Sequence, residues 1–280
     1  MFCGVLVAVA ALVLGIVFIV PRPVEVLPGD RIVFGNYNGE SIVWRVLKVS
    51  ENGKEATVVA EDILCMKAFD GAESGIYNRN GEKEYWGADI SGETVELQRL
   101  LRGDNRWNTS NIRAWLNSQA ENVAYQGRAP IIKAMSSMMN GYDTEAGFLY
   151  GFTEEERRAI LVSDVETNGE ITQDKVFLLS AEELEWFAVA DVKVYAEPTE
   201  GACRLDMTDW YENYALDLGI KDFRWWLRDG SETDGYKVYL MGNSYMQGEL
   251  SCESAALEGY GIRPALTLDL TSDCIEIEQK

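Results

Sequence analysis

The side chains best placed to do chemistry are four arginines and five tryptophans, each set in a short apolar motif. Arg45, Arg113, Arg228 and Arg263 interrupt runs of apolar residues in a chain with 25 Lys+Arg against 46 Asp+Glu. A guanidinium buried in so acidic a chain is expected to meet a carboxylate or a backbone carbonyl. It then acts as a structural clamp or, where one side stays open, recognises an acidic group on a ligand. Trp44, Trp107, Trp115, Trp225 and Trp226 offer broad apolar faces that suit a core or a stacked sugar ring. Adjacent residues on a strand face opposite ways, so at most one of Trp225 and Trp226 can serve a given core. Trp107, Arg113, Trp226, Arg228 and Arg263 are the candidate ligand contacts, and no residue is assigned a catalytic role.

The chain contains no histidine. Ser-His-Asp and Cys-His machinery, His-ligated zinc and an imidazole proton shuttle are therefore excluded. Any catalysis must rest on carboxylates, thiols, tyrosines or lysines. Beyond Cys3, the thiols are Cys65, Cys203, Cys252 and Cys274, with no Cys-x-x-Cys among them. Buried thiols are expected, and a Cys203–Cys252 or Cys252–Cys274 disulfide is the alternative in an oxidising compartment. No cofactor is expected. The acidic loops Asp70–Glu73 and Asp229–Asp234 hold oxygen ligands of the kind calcium takes, without the twelve-residue EF-hand spacing. A formal net charge of −21 repels phosphate backbones, so nucleic acid is excluded as a partner, and it disfavours lying flat on an anionic membrane.

These residues need a scaffold, and 280 residues that are 47% hydrophobic suffice to build one. Residues 1–20 carry no charge and, as a helix rising about 1.5 Å per residue, span roughly 30 Å, the thickness of a hydrocarbon core. They predict a transmembrane signal-anchor, with 21–29 as linker and 30–280 as a single globular α+β domain. The expected location is the cell membrane, single-pass, with the domain outside the cell. Asn38-Gly39 between β-branched and aromatic residues predicts a hairpin with strands near 31–36 and 41–49. A turn at 51–54 leads to a third strand at 56–60. Residues 66–106 read mostly as loop with a short helix near 94–101. Thr109 or Ser110 caps a helix running to about Ser118, with Ile112, Trp115 and Leu116 on its apolar face. Thr153–Glu156 and Ser180–Glu183 are capping-box patterns, the first starting a helix towards Ile160 and Leu161, the second following the apolar run 176–179 and leading into a helix through Trp186 and Phe187. Further strands are expected at 224–227, 236–241 and 262–269.

Five motifs follow in order: Phe34-Gly35-x-Tyr37 with Ile42-x-Trp44-Arg45-Val46-Leu47, Trp107 to Asn117, Asp174 to Ser180, Trp225-Trp226-Leu227-Arg228, and Gly261-Ile262-Arg263-Pro264-Ala265-Leu266. The series resembles a bacterial domain-of-unknown-function family of Firmicutes surface proteins, over about residues 30–270. More distantly it is similar to the C-type-lectin-like group that includes formylglycine-generating enzyme. The resemblance implies a C-type-lectin-like mixed domain with antiparallel sheets and a few short helices, the Trp-Trp-Leu-Arg strand and the closing Gly-x-Arg-Pro-Ala strand lying in its core sheet. It also implies a non-catalytic surface module that binds a protein or glycan ligand. The alternatives are a thiol-using relative of formylglycine-generating enzymes, working through Cys203, Cys252 or Cys274, and a purely structural envelope protein. Binding chemistry tends to sit on loops, which directs attention to residues 66–106 and 229–259.

Overall fold

The computed structural model describes residues 25–74, 89–131, 141–206, 222–243, 247–257 and 259–278. The apolar segment 1–20 lies outside them, and among the described residues no helix is long and apolar enough to cross a membrane. The architecture is α+β and mostly sheet, built mainly from antiparallel pairings and a few short helices.

In chain order the elements are β1 (Arg31–Tyr37), β2 (Glu40–Val49), β3 (Glu55–Ala60), β4 (Cys65–Met66), α1 (Val95–Arg102), α2 (Asn111–Leu116), α3 (Glu154–Ala159), β5 (Ile160–Leu161), β6 (Ser163–Thr167), β7 (Glu170–Asp174), β8 (Val176–Phe177), α4 (Glu185–Val189), α5 (Glu200–Asp206), β9 (Trp225–Gly230), β10 (Lys237–Met241), β11 (Ser251–Ser254), β12 (Gly261–Ile262), β13 (Ala265–Asp269) and β14 (Glu276–Glu278). A seven-stranded antiparallel sheet runs β14-β1-β2-β3-β13-β5, with β8 also pairing β13. A five-stranded sheet runs β11-β10-β9-β12-β4, and β6 and β7 form a separate hairpin.

The expected β1–β2 hairpin is present, turned by Asn38 and Gly39 at φ of 52° and 85°. Asparagine and glycine tolerate that left-handed region, and such turns match the twist of the strands they join. Alternation buries Ile32 and Phe34 on β1 and Ile42, Trp44 and Val46 on β2, and the Trp44 indole N–H donates to Phe34 O at 2.7 Å. Val26, inside the expected linker, is also buried in the core, and Gly29 N–H donates to Val46 O.

Both capping boxes form. Thr153 and Glu156 exchange bonds at the start of α3. Ser180 and Glu183 do the same at 3.0 and 3.1 Å, ahead of a 3-10 turn that runs into α4. Ser110 caps α2 through the Arg113 N–H. Two expectations shift. The helix expected to reach Ile160 and Leu161 stops at Ala159, because those two residues pair instead with Leu268 and Thr267 of β13. The strand expected over 262–269 is two strands. Pro264 has no N–H to give a ladder, and at Arg263-Pro264 the chain passes from β12, beside β9, to β13 in the larger sheet.

All five tryptophans of the motifs are buried. Trp226 packs on Phe69 and Tyr260 and donates to Lys67 O at 2.9 Å, while Trp225 packs on Phe187 and Arg263. The neighbours thus fill two layers on opposite faces of β9, as strand geometry requires.

Candidate functional site

Arg228, near the end of β9, is the pivot. It is buried, and its guanidinium donates to Leu178 O at 2.9 Å, Glu166 O at 3.0 Å, Thr167 Oγ1 at 3.2 Å and both Glu183 oxygens at 2.5 and 2.8 Å. One side chain therefore ties β9 to the β6–β7 hairpin, the segment after β8 and the turn before α4. A bidentate pair with a carboxylate is the geometry guanidinium fits best. Next to it, Asp229 Oδ2 accepts from Ala181 N–H at 2.5 Å, and burial pushes the Asp229 carboxyl up.

These four segments surround a cleft of about 860 Å³. Its walls carry the carboxylates of Glu166, Glu182, Glu183, Glu185, Asp229 and Glu232, with Trp186 and Tyr239 as aromatic surfaces. The Lys48 ammonium lies 4.2 Å from the Trp186 ring centre. A smaller recess of about 410 Å³ opens beside it and shares Asn168, Ser231 and Glu232 with it. Asn168, at the hairpin tip Asn168-Gly169 with φ of 51° and 81°, and the 231–232 turn are thus common to both. The turn is held by Asn105, whose Nδ2 donates to Ser231 O, Asp234 O and Lys237 O at 3.0, 3.0 and 3.2 Å. Gly230 permits this approach: a Cβ there would lie 2.5 Å from Asn105 O.

Trp107 closes the recess from behind. Its indole N–H donates to Asp174 Oδ2 at 2.9 Å, and Arg113 Nε and Nη2 reach Asp174 Oδ1 at 2.8 Å. Thr172 Oγ1 donates to Asp174 Oδ2 at 2.6 Å, so three partners converge on one buried carboxylate.

Of the five candidates, Arg228 lines the cleft and Trp107 the recess beside it, Arg113 is joined to Trp107 through Asp174 without lining either, and the other two lie elsewhere. Trp226 lies between Phe69 and Tyr260. Arg263 lies between the rings of Phe187 and Trp225, 4.9 and 5.3 Å away, donating to Ala60 O and Val194 O at 2.8 and 2.7 Å. Burial lowers its pKa, partly offset by Asp62 and Glu61. Asn168 and Trp186, which sequence reasoning passed over, line the cleft together with Ser231, Glu232 and Tyr239 of the 229–259 region. Asn168-Gly169 carried a legible hairpin signal of the same kind as Asn38-Gly39. Both loop regions expected to bear contacts do reach the site: Arg99, Asn105 and Arg106 from 66–106, and 229–233, Tyr239 and Leu250 from 229–259.

The acidic loop at Asp70 is used internally. Asp70 Oδ1 accepts from Asn111 N–H and Oδ2 from Asp104 N–H, while Gly71 N–H donates to Asn111 Oδ1. Among the described residues no group of three or more acidic or thiol side chains is placed to hold a metal ion. Cys65, Cys203, Cys252 and Cys274 are thiols, not disulfides. Cys252 lies on β11 and Cys203 on α5, which packs on β4, so the two occupy opposite edges of the five-stranded sheet. Cys274 lies beyond β13, near Glu155 and Glu156. Burial pushes the thiols of Cys252 and Cys274 up, which keeps them protonated and poorly nucleophilic.

A family model described as "Domain of unknown function (DUF6273)" matches residues 54–270. The match takes in four of the five motifs and leaves out Phe34–Leu47. No curated protein and no solved structure matches significantly.

Proposed function

The chain belongs to the DUF6273 family, and we propose that it is a non-catalytic binding module, tethered at the cell membrane through residues 1–20, which holds a surface glycan in the cleft around Arg228. The domain is read as C-type-lectin-like and external to the cell. The observation that carries the reading is the cleft: four segments meet over a buried arginine bonded to Glu183 and to backbone carbonyls, and the surface they present combines carboxylates, Asn168, Ser231 and Thr233 with Trp186 and Tyr239. Carboxylate and amide oxygens accept from sugar hydroxyls, and flat aromatic faces stack on pyranose rings. A basic segment of a surface protein is the second reading, favoured by the six carboxylates of the wall.

The two readings separate by salt and by charge reversal. The detergent-solubilised full chain is presented to immobilised cell-wall glycans and to surface-protein extracts at low and high ionic strength. Glycan capture that survives salt, is unchanged by chelator and is lost in Trp186→Ala supports the first reading. Capture of basic protein alone, abolished by salt and by Glu182→Lys with Glu232→Lys, replaces it with the second. Retention of neither, with the variants folded, overturns both. Protease added to intact cells must also cut the domain, because protection places it on the other side of the membrane.

A further inference from the structure

Six carboxylates line the cleft around Arg228, and the one cation among its described lining residues, the Arg228 guanidinium, is spent on Glu183. Asp229 is engaged by the Ala181 N–H. Four carboxylates remain: Glu166 on β6, Glu182 in the turn before α4, Glu185 at the start of α4, and Glu232 in the turn after β9. Among the described residues none of these four side chains forms an ion pair or accepts a hydrogen bond. They come from three separate parts of the chain, and among the described residues no three acidic side chains are placed to share a metal ion. The charge is spread along the cleft and suits a ligand whose own positive charges are spaced apart. Its effect is felt within: the Asp229 carboxyl, raised first by burial, is raised further by the charges of Glu183 and Glu182.

The aromatic side of the cleft points the same way. Trp186 already attracts one ammonium: Lys48 is exposed on β2, yet its Nζ lies 4.2 Å from the centre of that ring. The ring quadrupole draws a cation to an aromatic face. At about 860 Å³ the cleft lies near the upper end of small-ligand sites, with room for more than one sugar ring.

A neutral glycan would take water from these carboxylates and return no charge to them, and an acidic one would be repelled. We propose that the glycan held here carries unacylated amino groups, as an amino-sugar oligomer that is cationic near neutral pH; the proposal rests on the glycan reading of the cleft and narrows it. Sugar rings stack on Trp186 and Tyr239, while the ammonium groups, one per ring, meet Glu166, Glu182, Glu185 and Glu232. Stacking alone does not distinguish an amino sugar from its acetylated form, and charge alone does not distinguish it from a basic peptide. The two together do.

The test is calorimetric titration of the detergent-solubilised full chain at pH 6, where sugar amines are protonated and ordinary carboxylates ionised. The ligands are a β-1,4-linked glucosamine tetramer, its fully N-acetylated form and tetralysine. The glucosamine tetramer is expected to bind saturably and at least about tenfold tighter than the acetylated form, the worth of two exposed ion pairs. High salt should shrink this preference while both tetramers still bind, because screening acts on the charges and not on the stacked rings. Glu182→Gln with Glu232→Gln, both at exposed positions, should lower affinity for the glucosamine tetramer by about tenfold and leave that for the acetylated form unchanged. Equal or tighter binding of the acetylated form, or a preference indifferent to salt or to the double variant, overturns the proposal and leaves the glycan reading standing. Binding of neither tetramer, with the protein folded, overturns the glycan reading and the proposal with it. Tetralysine bound at least as tightly as the glucosamine tetramer shows that charge alone is recognised, and overturns the proposal in favour of a basic protein segment.

Discussion

At Asp174, on the last position of β7, one buried carboxylate serves Trp107, Arg113 and Thr172 at once. Removing it takes the carboxylate from a guanidinium that otherwise donates to Asn108 O at 3.1 Å and takes the acceptor from the buried Trp107 indole N–H. Breaking one side of a buried pair costs about 3–5 kcal/mol, and the partial exposure of Arg113 argues for the lower end. Asp174→Ala is accordingly expected to destabilise the domain by about 3 kcal/mol, read as a lowered denaturant midpoint with an unchanged slope. A loss below about 0.5 kcal/mol, the size of an ordinary surface effect, contradicts the hub assignment. Arg228→Lys probes the neighbouring pivot. Lysine keeps the charge but lacks the planar fork that reaches Glu183, Leu178 and Glu166 together, so a loss of about 2 kcal/mol is expected on the same measurement. The arginines and tryptophans of these clusters were visible in the sequence because each breaks an apolar motif. Their partners were not: among 46 acidic residues nothing local marks Asp174 or Glu183 as the one that faces an arginine some 45 to 60 positions away.

The elements that bound the cleft are short, and what ends each of them decides its position. Gly169 takes φ of 81° at the tip of the β6–β7 hairpin, with open space where a Cβ would stand. Gly169→Ala therefore costs only the left-handed backbone penalty, about 1–2 kcal/mol, and the loss is expected to be local. Hydrogen exchange of β6 and β7 amides should accelerate while that of β2 and β3 stays unchanged. Uniform acceleration throughout the domain would show instead that the hairpin unfolds only with the core. Ser180→Ala, which removes the acceptor for Glu183 N–H, should cost about 1 kcal/mol and loosen the Glu183 grip on Arg228. The hairpin at 31–49 and both capping boxes were legible because their signals are local: a positive-φ dipeptide, and a hydroxyl three residues before a glutamate. β5 was not, because Ile160 and Leu161 continue an apparent helix, and only pairing with β13 draws them into the sheet. Likewise the division of 261–269 between two sheets turns on Pro264 and on a neighbour, β9, that is distant in sequence.

Over the whole molecule, charge and burial act on stability in the same direction. A net charge of −21 repels itself in the compact state. Three carboxyls add to this: Asp62, Asp70 and Asp229 are each raised above the ordinary value of 3.8, in every case chiefly by burial. A raised carboxyl binds its proton more tightly in the folded state than in the unfolded chain. Its contribution is complete below the unfolded value and is lost as pH rises through the folded one. Stability is therefore expected to fall as pH rises from about 4 through the raised range of these groups, opposite to the slope that ion-paired carboxylates give on their own. Melting temperature should be higher at pH 5 than at pH 8. Added salt should raise it more at pH 8, where the uncompensated charge is larger and screening has more to remove. Asp229→Asn keeps an oxygen for the Ala181 N–H and removes one titrating group, so it should flatten the slope without abolishing folding. If melting temperature instead climbs steadily from pH 5 to pH 8, the ion pairs around Arg228 and Asp174 outweigh the raised carboxyls of Asp62, Asp70 and Asp229. The stability of the molecule would then be governed by its clamps and not by its net charge.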